Sequence, residues 1–180
     1  MIKYSKYLKK KSCSIFLFHG VIKKNNYNLR NYNNKHIEQK KFEQILKDLK
    51  KNGKPISMDT VKNNIINNQD FDNKSFAVTF DDGFYNNYSI AIPILKKMKI
   101  PATFYITTDF IEKNMTSWID RIEIAVNSKN IGCTKILNRE YSFNNSVKSK
   151  IKFMDNLRKK IKNNKKIDPY KITSHILSDL

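Results

Sequence analysis

At 180 residues, with 39% apolar side chains, 11 Phe and 9 Tyr, the chain is long enough to bury a core and too apolar for a disordered segment. The length implies one domain. No apolar run approaches the roughly 20 residues of a membrane-spanning helix, and the two distant cysteines, Cys13 and Cys133, give neither a disulfide framework nor a metal-ligand spacing.

The formal net charge of +19 raises the question of nucleic acid, because clustered cations release counterions from a phosphate backbone. Here the lysines are spread over many segments and travel with an excess of asparagine, as in Asn25-Asn26, Asn33-Asn34, Asn63-Asn64 and Asn163-Asn164. A compositional bias accounts for that mixture, so nucleic acid is not the expected partner, although a positive surface attracts anionic glycans and lipid head groups. Lys9-Lys10-Lys11 precede Ile15-Phe16-Leu17-Phe18 like the start of a signal peptide, but the run is short, meets His19 and lacks a small-residue cleavage site. A buried strand explains it better. With reduced thiols as the default, the expected setting is cytoplasmic, or peripheral to a membrane.

In chain order, Ser14 to Phe18 reads as a strand ending at His19-Gly20, and residues 22–36 as a polar loop. Ile37, Phe42, Ile45, Leu46 and Leu49 fall at helical spacing within 37–51, with Gly53 as the stop. Pro55 to Ser57 suggests a short strand, after which Asp59 would cap a helix through Val61 and Ile65. Phe76 to Phe80 is near-continuously apolar, as in a strand buried on both faces of a parallel sheet. Ile90, Ala91, Ile94, Leu95 and Met98 then share a helix face, with Pro93 marking an early turn or kink, and Ala102 to Thr107 forms the next strand. Strand, helix, strand is one βαβ unit, which implies a parallel sheet with helices outside it. Beyond Thr108 come a helix over Trp118 to Val126, a hairpin of 134–137 and 140–143 around Asn138-Arg139, a helix over 146–163, and a last helix opened by Pro169. The basic run 158–166 reads as a solvated face.

Asp81-Asp82-Gly83 closes the apolar strand. Strand ends of open α/β sheets are where ligand sites collect. Neighbouring side chains leaving a strand diverge, so one carboxylate can bind a metal while the other works on substrate. Gly83 lets the backbone turn sharply. The tripeptide alone is better read as a turn, since Asp-Gly is a common turn signal.

Its flanks change that reading. Thr79-Phe80-Asp81-Asp82-Gly83 resembles the first motif of the polysaccharide deacetylases, the NodB-homology or carbohydrate esterase family four domain. Ile94-Leu95-Lys96-Lys97 and Ile100-Pro101-Ala102-Thr103-Phe104-Tyr105 resemble the helix and strand that come after it there. Phe18-His19-Gly20-Val21, Phe42 to Gly53 and Trp118-Ile119-Asp120-Arg121 are similar to the early strand, first helix and inserted segment of one branch of that family. The resemblance covers most of residues 14–127. It implies an α/β fold, a deformed (β/α) barrel, and metal-dependent removal of acetyl groups from an N-acetylated glycan, with zinc the first divalent ion to expect. It also implies Asp81 as catalytic base and Asp82 as metal ligand.

The family's second motif, His-Ser/Thr-x-x-His, has no counterpart. The three histidines, His19, His36 and His175, include no pair at that spacing, and the Asp179 that lies four beyond His175 has the wrong context. The expectation is therefore a single, partial deacetylase domain over 1–180, with an inserted, mostly helical segment at about 112–180. Its barrel would be incomplete on the C-terminal side, and a downstream segment or separate chain would carry the missing half. The alternative is an inactive remnant or a basic glycan- or polyanion-binding module. His19 could face the site from its strand end, with a structural role weighed as the stronger reading. Tyr85 and Trp118 could line a sugar groove, with packing weighed as the stronger use of either.

Overall fold

Phe76 to Phe80, the most continuously apolar run of the sequence, lies in the strand around which a parallel sheet is built. The computed structural model describes residues 3–24 and 29–180, and these divide into two compact units. The first holds residues 3–24 and 33–107, and the second residues 29–32 and 108–180.

In the first unit a 3-10 turn (Tyr4–Tyr7) leads into β1 (Cys13–Phe18), β2 (Gly20–Ile22) and β3 (His36–Glu38). There follow α1 (Gln39–Asn52), β4 (Lys54–Pro55), α2 (Met58–Ile66) and β5 (Ser75–Phe80). A π-helical turn (Asn87–Ala91) runs directly into α3 (Ile92–Met98), and β6 (Ala102–Phe104) completes the βαβ unit. Every residue of β5 is buried. It pairs in parallel with β1, Cys13 opposite Ser75 through Phe18 opposite Phe80. Its other edge is divided: β4 takes Ser75 and Phe76, and β6 takes Val78 to Phe80, both in parallel. The Ile56 N–H donates to the Phe76 carbonyl at 2.8 Å and the Tyr105 N–H to the Phe80 carbonyl at 2.8 Å, so the two strands succeed one another along the same edge. This is the parallel α/β arrangement that the apolar runs imply.

The details differ where local chemistry outweighs periodicity. β2 and β3 pair in parallel at the two ends of the expected 22–36 loop, Gly20 opposite His36 and Ile22 opposite Glu38. Residues 25–28 of that loop lie outside the described residues. Because His36 to Glu38 are extended, α1 starts at Gln39 rather than at 37, and it buries Phe42, Ile45, Leu46 and Leu49. Gly53 does end it, with an extended φ of −153° rather than a left-handed one. Space demands the glycine: a Cβ would lie 2.4 Å from the Lys74 carbonyl oxygen and 2.8 Å from Leu8 Cδ1. The cap of α2 is Ser57, whose hydroxyl accepts from the Thr60 N–H at 3.1 Å, while the expected cap Asp59 sits within the first turn, where its charge complements the helix dipole. Pro93 is tolerated because it stands at the second position of α3, where no intrahelical N–H bond is required.

The second unit comprises α4 (Thr108–Glu112), α5 (Trp118–Ser128), the antiparallel pair β7 (Gly132–Ile136) and β8 (Arg139–Phe143), α6 (Val147–Lys162) and α7 (Pro169–Asp179). Short α4 has no apolar periodicity, so the sequence gives no signal of it. Ile122, Val126, Ile136, Phe143, Phe153, Leu157 and Ile176 form this unit's own core. Ser117, Ser146 and Asp168 cap the three longer helices through their side chains. Residues 29–32 are strapped to it: Leu29 is buried, the Asn31 N–H donates to Glu123 at 2.8 Å, and the Tyr32 hydroxyl donates to Asp155 at 3.0 Å. The hairpin turns on Leu137 and Asn138, with φ of 48° and 62°, one residue earlier than the expected Asn138-Arg139, because Arg139 already pairs with Ile136.

Candidate functional site

Phe80, the last residue of β5, is fully buried among three other rings. It stacks on Phe104 at 4.9 Å between centroids and meets Phe18 at 5.5 Å and Phe42 at 5.8 Å. Such rings bury large apolar areas with defined geometry, so the strand end is a firm base for the turn that leaves it. Asp81 comes next. Its N–H donates to the Phe18 carbonyl at 3.0 Å, which carries the β1–β5 ladder one step further. The chain then reverses through two left-handed residues, Asp82 (φ 71°) and Gly83 (φ 73°). Aspartate tolerates this region better than most residues. At Gly83 a Cβ would also lie 2.9 Å from Ile106 Cγ2, so glycine is required twice over.

The two carboxylates enter different surroundings. Asp81 is half-buried and its carboxylate has no hydrogen bond or ion pair among the described residues. Asp82 Oδ2 lies 3.8 Å from Lys35 Nζ. Lys35 is mostly enclosed, with 16% of its side chain exposed, and its ammonium also stands 4.4 Å from the centre of the Phe84 ring. The His36 ring meets Phe84 edge-on at 4.8 Å, and His36 Nδ1 accepts from the Asn86 amide at 3.2 Å. Gly20 makes room for this contact: a Cβ there would fall 2.1 Å from His36 Nδ1 and 2.6 Å from Asn86 Oδ1. Next to it, in the π-helical turn, Asn87 is buried, and neither its amide nitrogen nor its oxygen has a hydrogen-bond partner among the described residues. π turns of this kind recur at functional sites.

The other sequence candidates fall in varied places. His19, half-buried, directly succeeds β1, as Asp81 succeeds β5, and makes no hydrogen bond or ion pair among the described residues. Tyr85 is 77% exposed and lies 6.0 Å from the equally open ring of Tyr88, so it is not a packing residue of the core. Trp118 packs against the apolar cluster of the second unit. His175 Nε2 lies 3.6 Å from Asp179 Oδ2, which also accepts from the Thr134 hydroxyl at 2.5 Å, so this pair is tied to structural partners. Burial pushes the Cys13 thiol above its ordinary value, and burial and then Glu140 do the same for Cys133, so neither is set up as a nucleophile.

Among the described residues no three His, Cys, Asp or Glu side chains converge on one point. A catalytic zinc takes about three protein ligands, and Asp82 faces an ammonium. The donors present therefore do not fit a divalent ion. Lys35, His36, Phe84 and the Asn86-Asn87 pair give no functional signal in the sequence, because Lys35 and His36 lie in an apparent loop. The one available hint is Val21-Ile22 set against Ile37, two short apolar stretches able to pair.

The family model of the polysaccharide deacetylases matches residues 68–166, more than half of the chain, including β5 and the Asp81-Asp82-Gly83 turn. A comparison with curated proteins gives no match. Among solved structures, IcaB from Ammonifex degensii is similar with a TM-score of 0.50 and 23% identity, over 67% of this chain and 51% of that one. The Streptococcus pyogenes deacetylase PplD, solved in complex with acetate, is similar with a TM-score of 0.50 and 21% identity, over 66% of this chain and 53% of that one. At such identities the likeness shows the fold. The chain spans about half the length of these two structures.

Proposed function

The chain belongs to the polysaccharide deacetylase family, and from that premise we propose that it supplies the carboxylate side of a glycan N-deacetylase site. The observation that carries this is the carboxylate of Asp81, which has no partner among the described residues and is anchored through its own N–H at the end of the buried central strand. Asp81 takes a proton from the water that adds to the acetamide carbonyl, the role of a positioned general base. Asp82 is the prospective metal ligand. The remaining ligands, the family's His pair, would have to come from a further segment or a separate chain, and the sheet would then form part of a NodB-type barrel. Exposed Tyr85 and Tyr88 offer faces on which a sugar ring stacks. The two free thiols support a reducing, cytoplasmic setting, in solution or at a membrane surface.

The test is acetate release from N-acetylated glucosamine oligomers. The chain alone releases little. Adding zinc with a segment that carries His-Ser/Thr-x-x-His, fused or separate, raises the rate, and Asp81→Asn lowers the gained rate by about 10²–10⁴. A gain that survives Asp81→Asn sinks the assignment of the base.

A second reading has its own observation. Arg139, Lys159, Lys160 and Asn163 help line an open groove of ≈ 410 Å³ in the second unit that no carboxylate lines. A module binding anionic glycans would use it. Tight, salt-sensitive binding of a sulfated glycan without acetate release would favour this reading.

A further inference from the structure

Lys35 is a costly residue. With 16% of its side chain exposed, it is mostly enclosed, and enclosing an ammonium is unfavourable unless an opposite charge or a polarisable face replaces its hydration. Both replacements are present. Asp82 Oδ2 is 3.8 Å away, ion-pair distance though beyond that of a strong hydrogen bond, and the Phe84 ring offers its face at 4.4 Å.

Both ends of the pair are held by backbone. Asp82 is confined by the left-handed turn and by Gly83 against Ile106. Lys35 is adjacent to His36, which pairs with Gly20 in the β2–β3 sheet and accepts from Asn86. An ammonium so placed is not a surface side chain that has drifted onto a carboxylate. It is fixed beside the residue that the family motif makes a metal ligand, in a chain whose described residues offer no further cluster of donors.

We infer that Lys35 is a tethered cation that occupies Asp82 in place of a divalent ion, and that a metal reaching this carboxylate must first displace it. The inference rests on reading Asp82 as the cation-binding carboxylate, and it concerns what holds that carboxylate rather than the hydrolysis. Two cations at one carboxylate repel at short range, so removing the ammonium opens the position.

The test uses the full chain. Zinc is titrated by calorimetry, and cobalt by its absorption, into the native protein, Lys35→Met, Lys35→Gln, Lys35→Arg and the double variant Lys35→Met with Asp82→Asn. Lys35→Met keeps the apolar stem and removes the charge. Lys35→Gln serves if Lys35→Met does not fold. The neutral variant binds zinc at least tenfold more tightly than the native chain, Lys35→Arg does not, and the double variant loses the gain. Without metal, Asp82→Asn lowers the melting temperature more in the native background than in the Lys35→Met background, because only there does it take a carboxylate away from an ammonium. Equal zinc affinity in the native and neutral chains, or no detectable binding in either, overturns the inference, as does a gain that survives Asp82→Asn. No glycan enters these titrations, so failure of the deacetylase proposal shows only in the acetate assay.

Discussion

Adjacent aspartates behave as separate chemical groups once the backbone between them turns. Asp81 inherits its place from the β5 ladder, and Asp82 from a left-handed turn aimed at Lys35. The motif is legible in the sequence because its residues are contiguous. Lys35 is not, because the contact depends on β2 and β3 finding each other across a loop, and a lysine among many lysines carries no pattern. Tyr32 provides a residue-scale prediction. Burial first, then its hydrogen bond to Asp155 and that residue's charge, push its hydroxyl from 10.0 up to about 12. The folded value is raised above the unfolded one. The stabilisation is therefore fully present below pH 10 and is lost as the pH rises through about 12. Phenolate absorbance should place the Tyr32 transition near pH 12. Tyr32→Phe should cost about 1 kcal/mol at neutral pH, with melts of the two proteins converging in strong alkali. An ordinary tyrosine titration would show that the Asp155 bond does not persist in solution.

At the scale of elements, the longest periodic segments are legible, and the differences sit at ends and in short pieces. Three-residue strands such as β2 and β3 cannot show alternation, so beyond Val21-Ile22 set against Ile37 nothing in 20–22 or 36–38 distinguishes strand from loop. The cap of α2 is ambiguous in the sequence because Ser57 and Asp59 are both good capping residues, and only the extended backbone at Ser57 decides between them. The β7–β8 turn holds a more useful anomaly. Leu137 is 58% exposed and left-handed, in a two-residue turn whose dihedral signs suit Asn-Gly. A left-handed conformation costs a residue with a full side chain roughly 1–2 kcal/mol. Leu137→Asn should recover part of that, about 0.5–1 kcal/mol, seen as a higher melting temperature with the hairpin unchanged. A lower one would mean that the leucine has a contact that its exposure conceals.

At the scale of the molecule, the sequence reads as one domain with an inserted segment, whereas the described residues settle into two units with separate cores. Residues 29–32 belong with the second unit although they lie between the two stretches of the first, and no composition shift announces such a detour. The α/β class is legible because a strand buried on both faces must be apolar throughout, and β5 is. The divided edge of β5 has a kinetic meaning. Along that edge β6 joins Val78 to Ala102 across a single helix, while on the other side β1 joins Cys13 to Ser75 across most of the unit. Closing the longer loop costs only about 1 kcal/mol more. But β1 also arrives with Ile15 and Leu17 half open to water, so less burial rewards its docking. The α3 unit with β5 and β6 should assemble first, as local pairings outpace distant ones, and β1 should join late and open early. Native-state amide exchange should then be faster across β1 than across β6, and destabilising changes in β1 should speed unfolding while leaving the folding rate nearly untouched. Since the N–H of Asp81 is bonded to the end of β1, each such opening would also release the backbone beneath that carboxylate, so its positioning would last only as long as the slowest-formed strand stays in place.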